Sequence, residues 1–225
     1  MQELYLIRHG QAGLRSDYDR LSELGIEQAR MLGEWLRAQG IKFDAVVCGG
    51  LRRQIETAAA MGLEAQVEAQ WNEFDLDAVY ACIAPQLAKV DEEFRLGYEA
   101  LVAEASDPAH PVHRVWRPSD FMVVHAWSHA RFQVECERWD EFRNRVLGAF
   151  GSLGTAERVC VVTSATPIGV VTAGLFDAGI QQVFSLAGSL HNASITVLKK
   201  RQGGWTMAGF NHTPHLNDEK LRTMR

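Results

Sequence analysis

An arginine, a histidine and a glycine follow one another at Arg8-His9-Gly10, directly after the apolar run Leu4-Tyr5-Leu6-Ile7. Arginine offers a planar fork of donors that matches phosphate or carboxylate. Histidine can serve as a nucleophile, and glycine lets the chain turn sharply and a ligand approach the backbone. The apolar run reads as a buried strand. Its polar residues then fall at the strand's carboxyl end, where open α/β sheets bind ligands. His9 is therefore a candidate nucleophile beside an anion site, and a buried structural histidine is the competing reading.

The elements that would position these residues follow in order. Residues 12–20 read as a polar loop close to the site. Ser22 is a plausible N-cap, after which Ala29, Leu32, Trp35 and Leu36 recur at helical spacing until Gly40 closes the helix. Residues 43–48 form a second short apolar strand, Gly49-Gly50 leaves room for a ligand, and a helix begins near Leu51. Strand, helix, strand, helix predicts a parallel sheet with right-handed crossovers, so both strands end on the same sheet edge. Arg52 and Arg53 then lie in the first turn of the second helix, about 100 degrees apart around its axis, so one of them points inward.

The chain has 225 residues and a net charge of -5, which gives no sign of a nucleic-acid partner. Its longest apolar stretches, 159–162 and 168–175, are far too short for a membrane span. No basic segment followed by an apolar one opens the chain, and four widely spaced cysteines form no CxxC pair. These features lead us to expect a reduced, cytoplasmic protein without disulfides. His125 and His129 are four apart but lack an evident third ligand, so no metal site is expected.

Arg8-His9-Gly10, the helix over 24–36 and the run Gly50-Leu51-Arg52-Arg53-Gln54-Ile55-Glu56-Thr57-Ala58 together resemble the histidine phosphatase superfamily, in its phosphoglycerate mutase-like branch. The resemblance continues at Trp71-Asn72-Glu73-Phe74, at 159–168, at Asn192-Ala193-Ser194 and at 210–216. It implies an α/β three-layer sandwich, with a mostly parallel open sheet flanked by helices. It selects Arg53 over Arg52, because the family's second arginine lies four residues before a Thr-Ala pair. The same resemblance makes His9 a phosphohistidine-forming nucleophile and Glu73 the proton donor, with Asp75 and Asp77 as alternatives. Arg8 and Arg53 then hold phosphate, and no cofactor or metal is required. Residues 75–138 match no family motif and read as a helical cap insertion in a single domain spanning 1–225.

One departure stands out. Most of the family carries a second histidine at the turn after the strand 159–162, in a Ser-His-Gly order, and the matching position is Ala165 in Thr163-Ser164-Ala165-Thr166. This turn resembles the Thr-Ser-Gly-Gly form of a subset of the superfamily. Ser164 and Thr166, with the first N–H groups of the following helix, are candidate phosphate-binding groups in its place. His191 and His215 are further candidates for reaching the pocket. The expected activity is a metal-independent phosphatase acting on a small phosphorylated molecule, weakened by Ala165. The alternatives are a non-catalytic phospho-ligand binder and a mutase. The apolar, aromatic cap is also compatible with a homodimer.

Overall fold

Strand β1, Glu3–Arg8, lies near the middle of a six-stranded sheet among the described residues, and its alternate side chains are buried on both faces. The structure, a computed structural model, describes residues 2–224. Met1 and Arg225, the ends of the expected 1–225 domain, lie outside the described residues. The remaining strands are β2 (Ala45–Cys48), β3 (Gln66–Val67), β4 (Arg158–Thr163), β5 (Ile195–Arg201) and β6 (Gly204–His212). Their order is β3-β2-β4-β1-β5-β6, with the first four parallel and β5 and β6 antiparallel. The chain thus adopts the expected α/β architecture with a mostly parallel sheet.

Helix α1, Glu23–Ala38, starts where the Ser22 hydroxyl accepts the Gly25 N–H at 3.1 Å, and it ends before Gly40, whose φ of +66° suits glycine. Its buried stripe Ala29, Leu32 and Leu36 packs with Ala58 and Met61, from and just beyond helix α2 (Arg52–Ala60), onto Ile7, Cys48, Cys160, Val162 and Ile195. Each such large aliphatic side chain stabilises the fold by about 1.5–3 kcal/mol through burial. Leu4, Leu6 and Val161 are also buried and, by the two-residue period of a strand, face the other side. Helices α7 (Ala165–Gly174) and α8 (Ile180–Ser189) follow β4; from Thr166 to Ala173 every residue of α7 is buried.

The chain leaves β1 toward β2 and β3, yet leaves β4 toward β5, although β1 and β4 are neighbours in register from Glu3↔Arg158 to Arg8↔Thr163. The two strands are parallel and end together on the carboxyl edge, where open α/β sheets bind ligands. The residues at those ends are Arg8-His9 and Thr163-Ser164.

A second compact unit comprises residues 14–17 and 74–144. It contains helices α3 (Leu76–Val90), α4 (Glu92–Glu104) and α5 (Pro118–Ser128), and the start of α6 (Trp139–Gly151). The periodic run from Leu87 to Leu101 is two helices, because Asp91 leaves helical geometry and its carboxylate accepts the Phe94 N–H at 2.9 Å. Phe74, Trp127, Trp139 and Phe142 form an aromatic cluster. Beside it, the buried Asp120 carboxylate accepts from Arg15 (2.6 and 3.1 Å), Tyr80 (2.5 Å) and the Arg117 N–H (2.7 Å). Burial opposes ionisation of Asp120, but these donors outweigh it and hold the carboxyl below its ordinary range. Among the described residues no helix is long and apolar enough to cross a membrane.

Removing one partner of a buried ion pair strands the other charge, at a cost of about 3–5 kcal/mol. Arg15→Met is expected to lose stability of that order in urea unfolding followed by tryptophan fluorescence. A loss under about 1 kcal/mol, the range of a surface pair, would contradict this account of Asp120.

Candidate active site

The site begins where β1 ends. Gly10 lies against the α1 N-terminus so closely that a Cβ there would sit 2.3 Å from the Gly25 carbonyl oxygen. Its N–H donates to the Thr57 hydroxyl at 3.0 Å, and that hydroxyl donates to the Arg53 carbonyl at 2.7 Å. The Thr-Ala register on α2 is therefore tied directly to the turn after His9.

His9 is 2% exposed and its N–H donates to the Thr163 carbonyl at 2.9 Å, which pins β1 to the end of β4. Nδ1 lies 2.7 Å from the Gly10 carbonyl oxygen. A carbonyl can only accept, so Nδ1 carries the proton and Nε2 presents its lone pair. The Arg53 Nε–H meets that lone pair at 3.3 Å. Burial, then the charges of Arg53 and Arg8, push the His9 pKa well below its ordinary value, and the Gly10 bond only partly offsets this. His9 is accordingly neutral at pH 7, with the Nε2 lone pair turned toward Arg53.

Arg53 is 6% exposed, whereas Arg52 turns outward and pairs with Glu56 at 2.6 Å. The Arg53 guanidinium also donates to Asp19 at 2.8 Å and lies 5.0 Å from the Tyr18 ring centroid. The second Asp19 oxygen accepts the Arg52 N–H at 3.1 Å, at the α2 N-terminus. A carboxylate of the chain thus occupies the anion-binding position that a helix N-terminus and an arginine create together. Arg8, 5% exposed, donates to the carbonyls of Leu190 and, at 2.7 Å, Met224, while its buried Nε has no partner among the described residues. Burial lowers the Arg8 pKa, and Tyr18 and Glu73 act in the opposite direction.

The half-buried Glu73 accepts the Thr166 N–H at 3.1 Å in the first turn of α7, where the helix dipole favours a carboxylate. A ligand that used this N–H would share it with Glu73. Ser164, 1% exposed, is the N-cap residue of α7 and accepts from Gln54 at 2.9 Å. Ala165, at the first helical position, is half-buried. Below His9, Asn192 Nδ2 and the Ala193 N–H both donate to the His9 carbonyl, at 3.3 and 3.2 Å.

His191 sits in the loop before β5, where its N–H donates to Asn211 at 2.7 Å and its buried Nδ1 has no partner among the described residues. His215 is buried with neither ring nitrogen bonded to a described residue, and burial lowers its pKa to about 4. Among the described residues no three His, Cys, Asp or Glu side chains gather as a group that could hold a metal. Asp19, Gln54 and the Met224 carbonyl escaped the sequence reading. For Gln54 a signal existed, a polar residue on the same α2 face as Thr57 and Ala58.

The sequence profile of the histidine phosphatase superfamily (branch 1) matches residues 4–117 and 113–213. The 2,3-bisphosphoglycerate-dependent phosphoglycerate mutase of Methylorubrum populi is 42% identical over 65 residues, which span 25% of this chain and 30% of that protein. Among solved structures, Bacillus stearothermophilus YhfR superposes with a TM-score of 0.66 at 20% identity, covering 96% of this chain and 100% of the other. The alpha-ribazole phosphatase of Shigella flexneri gives 0.63 at 20% identity, covering 94% and 97%.

A neutral buried His9 ties stability to pH. Its pKa is near 6.5 when unfolded and lower when folded, so below pH 6.5 the unfolded chain binds the extra proton first. Folding stability is expected to fall as the pH drops through that window, and less steeply in His9→Asn. An NMR titration placing the His9 pKa at or above 6.5 would refute the assignment.

Proposed function

Because this chain belongs to the histidine phosphatase superfamily, we propose that it hydrolyses phosphomonoesters through a phosphohistidine on Nε2 of His9. The observation that carries this reading is the Nδ1 bond to the Gly10 carbonyl, which makes Nε2 the unprotonated nitrogen, with its lone pair toward Arg53. Nε2 attacks phosphorus in line, the bond to the ester oxygen breaks, and Glu73 gives that oxygen its proton. The Gly10 carbonyl stabilises the positive charge that the ring acquires. Water then attacks the phosphohistidine, Glu73 recovers a proton from it, and phosphate leaves with His9 neutral again.

Arg8 and Arg53 bind the equatorial oxygens through charge-assisted hydrogen bonds. The scheme draws its positive charge from these two side chains, so chelators are expected to leave turnover unchanged. The Thr163–Thr166 turn, akin to the Thr-Ser-Gly-Gly subset, has Ala165 in place of the second histidine. The missing donor would otherwise contribute about a hundred- to a thousandfold in rate. The buried Ser164 and the first N–H groups of α7, Thr166 among them, supply donors there, and activity is correspondingly weak. The substrate in this reading is a small phosphorylated molecule.

One observation favours a second reading. Asp19 already neutralises Arg53, as it would in a non-catalytic binder that exchanges this carboxylate for a phosphorylated ligand.

Phosphate release from an aryl phosphate and a panel of phosphorylated metabolites separates the two. Turnover is expected to vanish in His9→Ala and to fall about a hundred- to a thousandfold in Arg53→Ala. No turnover in the native chain, with phosphate binding that Arg53→Ala abolishes, would establish the binder. Because His9 stays neutral below its ordinary pKa, the acid limb of kcat/KM is expected below pH 6.5; a limb at or above 6.5 would speak against His9 as nucleophile.

A further inference from the structure

Gln54 is fully buried on α2, and its side chain reaches three separate parts of the site. Its Oε1 accepts the Leu51 N–H at 3.2 Å, at the N-cap of α2. Its Nε2 lies 3.3 Å from the Trp71 carbonyl and 2.9 Å from the Ser164 hydroxyl. These partners fix the orientation of the amide. An N–H can only donate and a carbonyl can only accept, so the oxygen faces Leu51 and the NH2 group faces Trp71. The remaining amide proton then goes to Ser164, whose hydroxyl must accept it.

A hydroxyl that accepts from Gln54 keeps one proton to give. Among the described residues no acceptor is present for it, although Ser164 is only 1% exposed. Ser164 follows Thr163, whose carbonyl holds the His9 N–H at 2.9 Å, so the hydroxyl belongs to the residue next to the nucleophile's own backbone anchor. Gly49 makes room for the arrangement, since a Cβ there would sit 2.0 Å from Gln54 Oε1. The Trp71 carbonyl also accepts from the Thr163 hydroxyl at 2.5 Å, which keeps the segment leading to Glu73 on the same support.

We infer that Gln54 is a positioning residue for phosphoryl transfer: its amide forces the Ser164 hydroxyl to act as a donor toward the phosphoryl oxygens, on the side where the family's second histidine is missing. The inference rests on the hydrolase reading above. It adds that the histidine's work is divided between a serine that touches the substrate and a glutamine that orients it.

The test is a double-mutant cycle on aryl phosphate hydrolysis, with Ser164→Ala, Gln54→Met and the double variant, each checked for folding by circular dichroism. Each single change is expected to lower kcat about tenfold or more, with a smaller change in KM, and the double variant to be no slower than Ser164→Ala. Multiplicative losses would mean that Gln54 acts structurally and would overturn the inference. So would a fully active Ser164→Ala in a protein whose His9→Ala is dead, an outcome that leaves the hydrolase reading standing.

Gln54→Glu gives an independent readout that does not need the Met variant to fold. An ionised carboxylate accepts the Ser164 proton and turns the donor away, whereas a protonated one can donate as the amide does. Its activity relative to the native chain is expected to recover as the pH is lowered, and a constant ratio would count against the inference. If the native chain shows no His9-dependent turnover, the hydrolase reading fails, and the same cycle read on orthovanadate affinity still decides whether Gln54 and Ser164 act as one unit.

Discussion

Two guanidinium groups are buried beside a neutral imidazole at the end of one strand, and this concentration of positive charge is the constraint around which the rest is arranged. Removing such charge from water is costly unless each ion is met by hydrogen-bond acceptors. Arg8 is met by carbonyls from the segment before β5 and from the C-terminal segment, and Arg53 by Asp19 from the loop after β1. Chain pieces far apart in sequence therefore converge on the carboxyl edge of the sheet. Burial, with the same positive field, keeps His9 unprotonated, so the condition that makes the site difficult to build also fixes the charge state of its imidazole.

The topology supplies the place. β1 and β4 are adjacent, parallel and in register, so Arg8-His9 and Thr163-Ser164 come together at one place on the carboxyl edge of the sheet. Glycines at 10 and 25 bring the loop after β1 against the α1 N-terminus at a separation that a side chain would prevent. Thr57 then links that turn to the helix carrying Arg53, so His9 and Arg53 share one rigid support.

Much of this was legible in the sequence because it depends on local pattern. The apolar run before Arg8 and the Ser22 cap each report a local rule, and the family resemblance picks out Arg53 by its spacing to Thr57-Ala58. They led correctly to β1, α1 and the inward arginine of α2. Other parts leave no local trace. β3 is two exposed residues that a pattern cannot distinguish from loop, and the break between α3 and α4 depends on the backbone of a single aspartate. Asp19 and the Met224 carbonyl enter the site through long-range contacts, which one sequence does not record. Gln54 sits between these cases: its burial follows from the face of α2 that it occupies, but its partners come from three different segments.

The two arginines are held by different kinds of partner. Arg8 is fixed by neutral carbonyl dipoles, which set the plane of its guanidinium without cancelling its charge. Arg53 is held by a carboxylate that is about half exposed and can be replaced. On the proposed function, entry of a dianion is an ion exchange as much as an association, in which the arriving group releases Asp19 from Arg53 and from the α2 N-terminus together. The free energy of capture is the difference between two anions at one position, so a ligand with a single diffuse charge gains little over the carboxylate it displaces.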